Sequence, residues 1–199
     1  MLIEKNDTEA RILEATRILF NRLGYTGMTL RQIAKEVGIE VQSIYNYTRS
    51  KQELVEKVIR TGTGDLHQAV LRALEGAGTD PAERLAAAVK AHVIHYTSSP
   101  NVVAFFRDGL VHFDEERRSS LLVMLKAYEQ VFKDIIRDGV DSGRFREVDV
   151  TPVTYAILGM GDSVINWYRH PGRLTSAEIG EIFGELAVRM VSAAGPEGT

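Results

Sequence analysis

The chain contains no cysteine in 199 residues. That excludes disulfides, thiolate metal sites and a cysteine nucleophile, and it fits a reducing compartment. Long apolar runs are also missing, so no bilayer span is expected. Near the N-terminus Glu4, Lys5, Asp7, Glu9 and Arg11 interrupt the apolar core that a secretory leader would need. A cytoplasmic location is therefore expected. No stretch of useful length alternates apolar and polar residues as a strand would, and no internal repeat is present. The length is enough for one globular unit, or for a small module fused to a larger one, with a core that needs no staples.

Signatures of catalysis are lacking too. There is no Gly-x-Ser-x-Gly, no phosphate-binding P-loop and no Rossmann glycine pattern; Gly159-Met160-Gly161 lacks a third glycine in register. Asp108, Asp114, Glu115 and Glu116 cluster, but such a run reads as a solvated helix start. His92 and His95 lie one turn apart with Glu83 upstream. No third ligand falls at a suitable spacing, so they read as satisfied or exposed histidines rather than a metal pair. His67, His112 and His170 are isolated. No cofactor, no metal and no enzymatic activity are expected.

Excess positive charge is absent overall, with a formal net charge of −3. Its distribution is uneven. Residues 1–51 hold eight Lys/Arg against six Asp/Glu, for +2, and the remainder carries −5. A mildly basic head on an acidic body suits a small nucleic-acid-contacting module.

What the sequence does have is helical periodicity almost throughout. Ile12, Ala15, Thr16, Leu19, Phe20 and Leu23 form one stripe, with Asp7 as the expected N-cap and Gly24 as the stop. Thr29-Leu-Arg-Gln32 is a capping box, in which each side chain satisfies a free amide of the other residue. Its helix is expected to end near Gly38, and a short helix to cover Val41–Tyr47. Ser50-Lys-Gln-Glu53 is a second box, opening a long helix to about Leu74. Asp80-Pro81-Ala-Glu83 starts another, to about Thr97, before Ser98-Ser99-Pro100 breaks it. A short aromatic-rich helix (Val102, Val103, Phe105, Phe106) is expected next. Long helices follow over Glu115–Ser142 and from Thr151-Pro152 to Tyr168. A last one starts at the box Thr175-Ser-Ala-Glu178 and ends before Gly195-Pro196. The fold class is all-α.

Residues Leu30 to Tyr47 have the pattern of a helix-turn-helix, two short helices crossing steeply over a tight turn. Ala34 is the small residue where the helices touch. Gly38 sits at the turn, where positive φ is easy for glycine. Ile33, Val37 and Ile44 form the apolar lock. Val41, Gln42, Ser43, Tyr45 and Asn46 are left on or near the outward face. Gln42 and Asn46 suit base edges and Val41 a thymine methyl. Ser43, Tyr45 and Tyr47 can donate to phosphates, while Thr29, Arg31 and Lys51 can position the backbone.

Over Ala10 to Leu54 the chain resembles the DNA-binding domain of the TetR family of repressors. The matching residues are Ile12-Leu13-Glu14-Ala15, Phe20, Gly24-Tyr25, Met28-Thr29, Ile33-Ala34, Val37-Gly38-Ile39, Ser43-Ile44-Tyr45 and Lys51-Gln-Glu-Leu54. The family usually has a histidine after the recognition tyrosine; Asn46-Tyr47-Thr48 stands here instead. The resemblance implies a three-helix DNA-binding domain over 1–50 and a larger antiparallel helical ligand-binding and dimerisation domain over 51–199. It implies double-stranded operator DNA and a small-molecule effector as partners of a homodimer, with no membrane.

Dimerisation is implied through Pro152–Tyr168 and Thr175–Ala194. There Ile179, Ile182, Phe183, Leu186, Ala187, Met190 and Val191 form a broad stripe, and Gly159, Gly161 and Gly184 would let helices approach closely. Candidate pocket-lining residues are Leu66, Val93, Tyr96, Phe105, Phe106, Leu110, Phe113, Met124, Tyr128, Met160 and Trp167. Ile165-Asn166-Trp167-Tyr168 with Pro171-Gly172-Arg173-Leu174-Thr175 and Glu178-Ile179 resembles a subgroup of the family that includes regulators of fatty-acid and sterol-derived acyl-CoA catabolism. An acyl-CoA or similar long apolar acid is thereby implied, its phosphates met by Arg107, Lys126, Arg169 and Arg173. Two readings from other classes remain open at this point: an all-helical lipid or small-molecule carrier, and an enzyme.

Overall fold

The computed structural model describes residues 2–98, 110–169 and 171–192, with side chains from residue 7 onward. No strand occurs among the described residues. The helices are α1 (Leu2–Gly27), α2 (Leu30–Val37), α3 (Val41–Ile44), α4 (Lys51–Glu75), α5 (Pro81–Ser98), α6 (Glu115–Asp141), α7 (Val150–Asp162), α8 (Val164–Trp167) and α9 (Ser176–Val191). The all-α expectation is met. The aromatic-rich helix expected around Phe105 and Phe106 lies outside the described residues, as do Arg107, His170 and the tail from residue 193. No helix among the described residues is long and apolar enough to cross a membrane.

Two compact units are formed. The first holds residues 2–63 and 110–123, the second residues 64–98, 124–169 and 171–192, and the boundaries fall inside α4 and α6.

In the first unit the α1 stripe is buried at Ile12, Ala15, Thr16, Leu19 and Phe20, while Leu23 stays 38% exposed. Gly24 breaks the helix as expected, at φ 69° and ψ 175°. Asp7 is not the N-cap: α1 begins at Leu2. Nothing in residues 2–6 opposes a helix, and adding residues to an existing helix is far easier than nucleating one.

In the second unit Asp80 caps α5 through Ala82 N–H (3.0 Å) and also accepts from the Arg144 guanidinium (2.9 Å). Gly143, at φ 72°, follows the end of α6. Asp149 caps α7 through Thr151 N–H at 3.1 Å, and α9 has the full Thr175–Glu178 capping box. The expected single helix from Thr151 to Tyr168 is instead broken at Ser163. The Ser163 hydroxyl donates to Met160 O (2.6 Å), and its N–H is shared between Gly159 O and Met160 O. With Gly159 and Gly161 in this turn the helix is intrinsically weak, and such local bonds compete with it.

Two glycines assigned by sequence to a subunit contact are used within the chain. A Cβ on Gly184 would lie 2.8 Å from Ala86 O, and one on Gly161 would lie 2.5 Å from His92 Cδ2. Gly184 thus lets α9 lie close against α5, while Gly161 makes room for an imidazole. Of the three glycines named for that contact, only Gly159 faces open space. The apolar stripe of α9 divides accordingly. Ile179, Gly180, Gly184, Ala187 and Val191 are buried, whereas Ile182 and Leu186 are 43% and 40% exposed.

Candidate nucleic-acid interface and ligand site

The helix-turn-helix forms as its sequence dictates. Thr29 and Gln32 close the capping box: Gln32 N–H donates to Thr29 Oγ1 (3.2 Å) and Thr29 N–H to Gln32 Oε1 (2.8 Å). At the other end of α2, Gly38 adopts φ 77°, ψ 33°. Ile39 N–H then reaches Ala34 O (3.0 Å) and Gly38 N–H reaches Lys35 O (3.2 Å). This pair of bonds is the Schellman arrangement, which satisfies the last carbonyls of a helix and turns the chain. Arg11 adds a guanidinium bond from α1 to Val37 O.

α3 is shorter than expected. It ends at Ile44, and residues 45–47 continue as tighter turns, with Asn46 N–H to Ser43 O (3.1 Å) and Tyr47 N–H to Ile44 O (3.0 Å). Glu40 provides no side-chain cap, so little holds a regular helix beyond one turn. Tertiary contacts fix it instead. Ile44 is fully buried and Thr48 nearly so; full burial of such an isoleucine contributes about 1.5–3 kcal/mol. Around that anchor Val41, Gln42, Tyr45 and Asn46 are exposed, and Ser43 and Tyr47 are half-buried. Thr29 and Arg31 are exposed at the start of α2.

Lys51 differs from the other predicted residues. Its ammonium donates to Tyr25 O (2.7 Å) and Met28 O (3.0 Å) and lies 4.2 Å from the centroid of the Tyr25 ring. It clamps the turn between α1 and α2, and partial burial holds its pKa below the usual lysine value. Sequence reasoning missed Lys57, one and a half turns along α4, which donates to Tyr47 O (3.1 Å) and pairs with Glu9 (2.9 Å). Glu53 accepts from Arg49 N–H (2.6 Å) and the Thr48 hydroxyl (3.2 Å). These bonds lower its pKa, the backbone N–H most. A 3.6-residue reading of α4 finds its apolar face but not where its polar tips end, so neither role could be seen in the pattern.

The predicted ligand residues separate into three groups. Leu110, half-buried, and Phe113, buried, belong to the first unit, while Phe105 and Phe106 lie outside the described residues. In the second unit Leu66, Val93, Tyr96 and Tyr128 are buried, and Met124 and Met160 are half-buried. Tyr96 and Tyr128 meet around a residue not predicted as part of the site, His92. Its Nδ1 is 2.6 Å from Tyr128 Oη, and its ring sits edge-on to Tyr96 at 4.6 Å between centroids. The sequence reading of His92 as satisfied or exposed is only half right: the side chain is 2% exposed, yet Nε2 has no hydrogen-bond partner. Asp162 Oδ1 lies 3.2 Å away but off the line of a hydrogen bond. His95 Nε2 is likewise buried and unpartnered, and desolvation lowers its pKa. Burial raises the pKa of both tyrosines, which keeps the phenols protonated. Among the described residues no group of three histidine or acidic side chains could hold a metal ion.

Trp167 forms the third group. It is 48% exposed, rests on Phe183 (6.2 Å between centroids), and helps line a surface groove of about 290 Å³ with Tyr168, Arg169, Arg173, Leu174 and Ile179. Arg169 spends its guanidinium on Tyr168 O (2.7 Å) and Asn166 O (3.3 Å), while Arg173 is exposed.

Residues 12–58 match the model of the family described as bacterial regulatory proteins, tetR family, and residues 78–191 that of the tetracyclin repressor-like C-terminal domain. The HTH-type transcriptional repressor KstR2 of Mycobacterium tuberculosis (strain ATCC 25618 / H37Rv) is 27% identical over 178 residues, covering 88% of each chain. The crystal structure of PfmR from Thermus thermophilus, a TetR family transcriptional regulator, superposes with a TM-score of 0.81 at 28% identity, over 90% of this chain and 97% of that one. AibR in complex with isovaleryl coenzyme A and operator DNA shares the fold, with a TM-score of 0.79 at 23% identity over 92% and 97%. A helix-turn-helix built and capped as above, followed by a matching helical body, makes this chain a bacterial regulatory protein of the tetR family, and not an enzyme.

Proposed function

We propose that this regulator is a dimeric, ligand-responsive transcriptional repressor working in the cytoplasm, with residues 1–50 as the DNA-binding head and 51–199 as the effector-binding and dimerisation body. The observation that carries the reading is the outward side of α3, where Val41, Gln42, Tyr45 and Asn46 stand exposed around the buried Ile44. Exposed side chains on so firmly anchored a turn are what a major groove requires. Gln42 and Asn46 read base edges, Val41 meets a thymine methyl, and Ser43, Tyr45 and Tyr47 bond phosphates. Thr29 and Arg31 position the DNA backbone, and Lys51 acts mainly by holding the turn that carries them. Dimerisation supplies the second head, since two recognition helices must reach major grooves about 34–36 Å apart. Exposed Ile182 and Leu186 on α9 and Tyr155 on α7 support a body-to-body contact.

The effector is an acyl-CoA or a similar long apolar acid. The resemblance around Trp167 points to it, as does the groove there, which has an indole for a flat base and an exposed Arg173 for phosphate. AibR, a protein of the same fold, has been solved with isovaleryl coenzyme A bound, which supports an acyl-CoA as the class of effector. Binding releases DNA provided the ligand prefers the DNA-incompatible state by a few kcal/mol.

Native mass spectrometry of the purified protein with its own upstream DNA at two salt concentrations tests this. A dimer is expected whose duplex complex weakens at higher salt, because phosphate contacts release counterions, and dissociates on adding an acyl-CoA. A monomer without DNA affinity refutes it.

A further inference from the structure

The second unit holds a polar cluster in which a histidine and two tyrosines are buried and an aspartate, Asp162, is 39% exposed. His92 of α5 is 2% exposed; Tyr128 of α6 and Tyr96 of α5 are 2% and 7% exposed. Asp162 closes the end of α7, where its carboxylate also faces the Tyr96 phenol. Gly161 beside it has no side chain, which leaves the space that the His92 ring fills. Two imidazole nitrogens here, Nε2 of His92 and Nε2 of His95, are buried without a partner. An unpaired buried polar atom is costly and uncommon in a folded protein.

The hydrogen-bond directions can be worked out. The Tyr128 phenol keeps its proton, and its hydrogen-bonding neighbour is His92 Nδ1 at 2.6 Å. If the phenol donates, Nδ1 is the acceptor and the imidazole proton sits on Nε2. That N–H is then free to donate, with a carboxylate oxygen of Asp162 only 3.2 Å away but not aligned with it. An arriving group must accept from the imidazole N–H and tolerate the carboxylate. A carboxylate would be repelled by Asp162. A ketone accepts but brings a second lone pair toward that charge. A hydroxyl suits both neighbours, accepting from His92 and donating to Asp162.

We infer that the His92–Tyr128–Asp162 cluster is a hydroxyl-reading subsite of the body, and that the effector carries an alcohol on its apolar part. His95, the other histidine with an unpartnered Nε2, lies one turn further along α5. The inference rests on the reading of the body as the effector-binding domain; it deepens that reading by naming a chemical group that the ligand carries.

The test uses full-length protein with ¹⁵N-labelled histidine and three fragments of similar shape: cyclohexanol, cyclohexanone and methylcyclohexane. Cyclohexanol is expected to shift the His92 ring signals saturably, and to bind at least roughly tenfold more tightly than either analogue, the factor that one net hydrogen bond supplies. His92→Gln and Asp162→Asn should each remove that preference. Equal binding of all three fragments, or His92 signals unmoved by cyclohexanol, overturns the inference; the unmodified protein decides this even if a variant fails to fold. Operator release by octanoyl-CoA and by 8-hydroxyoctanoyl-CoA is measured in parallel. If both acyl-CoAs release DNA equally and cyclohexanol leaves His92 unmoved, the subsite is refuted and the acyl-CoA reading survives. If neither releases DNA while cyclohexanol still shifts His92 selectively, the subsite stands and the acyl-CoA reading fails.

Discussion

Replacing Lys51 by methionine keeps most of the aliphatic stem and removes only the ammonium. Two charge-assisted hydrogen bonds disappear, to Tyr25 O at 2.7 Å and to Met28 O at 3.0 Å, together with the contact over the Tyr25 ring. Hydrogen bonds to charged groups contribute about 1.5–3 kcal/mol each when well buried, and an exposed cation–π contact about 0.5–1 kcal/mol. Lys51 is only half-buried, so water recovers part of the loss, and the net effect should be about 2–4 kcal/mol. In a chain of this size that lowers Tm by on the order of 5–15 °C. Thermal melts followed by circular dichroism would be read beside operator titrations at several salt concentrations. A clamp lowers Tm and weakens operator binding, but leaves the slope of log affinity against log salt unchanged. A phosphate contact does the reverse: Tm holds, and the slope falls by about one. An unchanged Tm with a reduced slope would therefore refute the clamp and make Lys51 a DNA contact.

Tyr45→Ala should behave oppositely to Lys51→Met, because Tyr45 is 58% exposed; operator affinity falls while Tm moves little. Gly38→Ala places a Cβ in open space at φ 77°, so only the left-handed backbone is penalised. A loss of about 1–2 kcal/mol is expected in urea unfolding. Ile182→Glu with Leu186→Glu should convert the dimer to monomer in analytical ultracentrifugation, and a dimer that persists would place the subunit contact elsewhere. Glu53 has a folded-state pKa below its ordinary value of 4.5, so its stabilisation is fully present above that pH and is lost as pH falls through the folded pKa. The difference in Tm between wild type and Glu53→Gln should thus be constant near neutral pH and vanish in acid.

Local chemistry made much of this fold readable. Thr29 with Gln32 and Thr175 with Glu178 announce their helices because a capping box involves only residues three apart. Gly24, Gly38 and Gly143 announce turns because positive φ selects glycine. The buried Ile44 beside exposed Gln42 and Asn46 follows from helical periodicity. The features that escaped depend on partners distant in the chain. Nothing in the sequence of α4 says that Lys51 reaches Tyr25 and Met28, or that Lys57 reaches Tyr47. Gly184 and Gly161 read as points of close approach between subunits; only packing shows that one meets Ala86 of α5 and the other the His92 ring. The break at Ser163 turned on a balance between a glycine-weakened helix and a serine that bonds back to Met160. His92 itself looked ordinary, since a histidine one turn from another declares neither its burial nor an unpaired nitrogen. Sequence alone therefore determined most of the helices, the Thr29–Gln32 and Thr175–Glu178 caps and the exposed side of α3, which short-range chemistry encodes. Tertiary structure decided which polar tips meet inside the protein, because those meetings depend on how helices far apart in sequence are brought together.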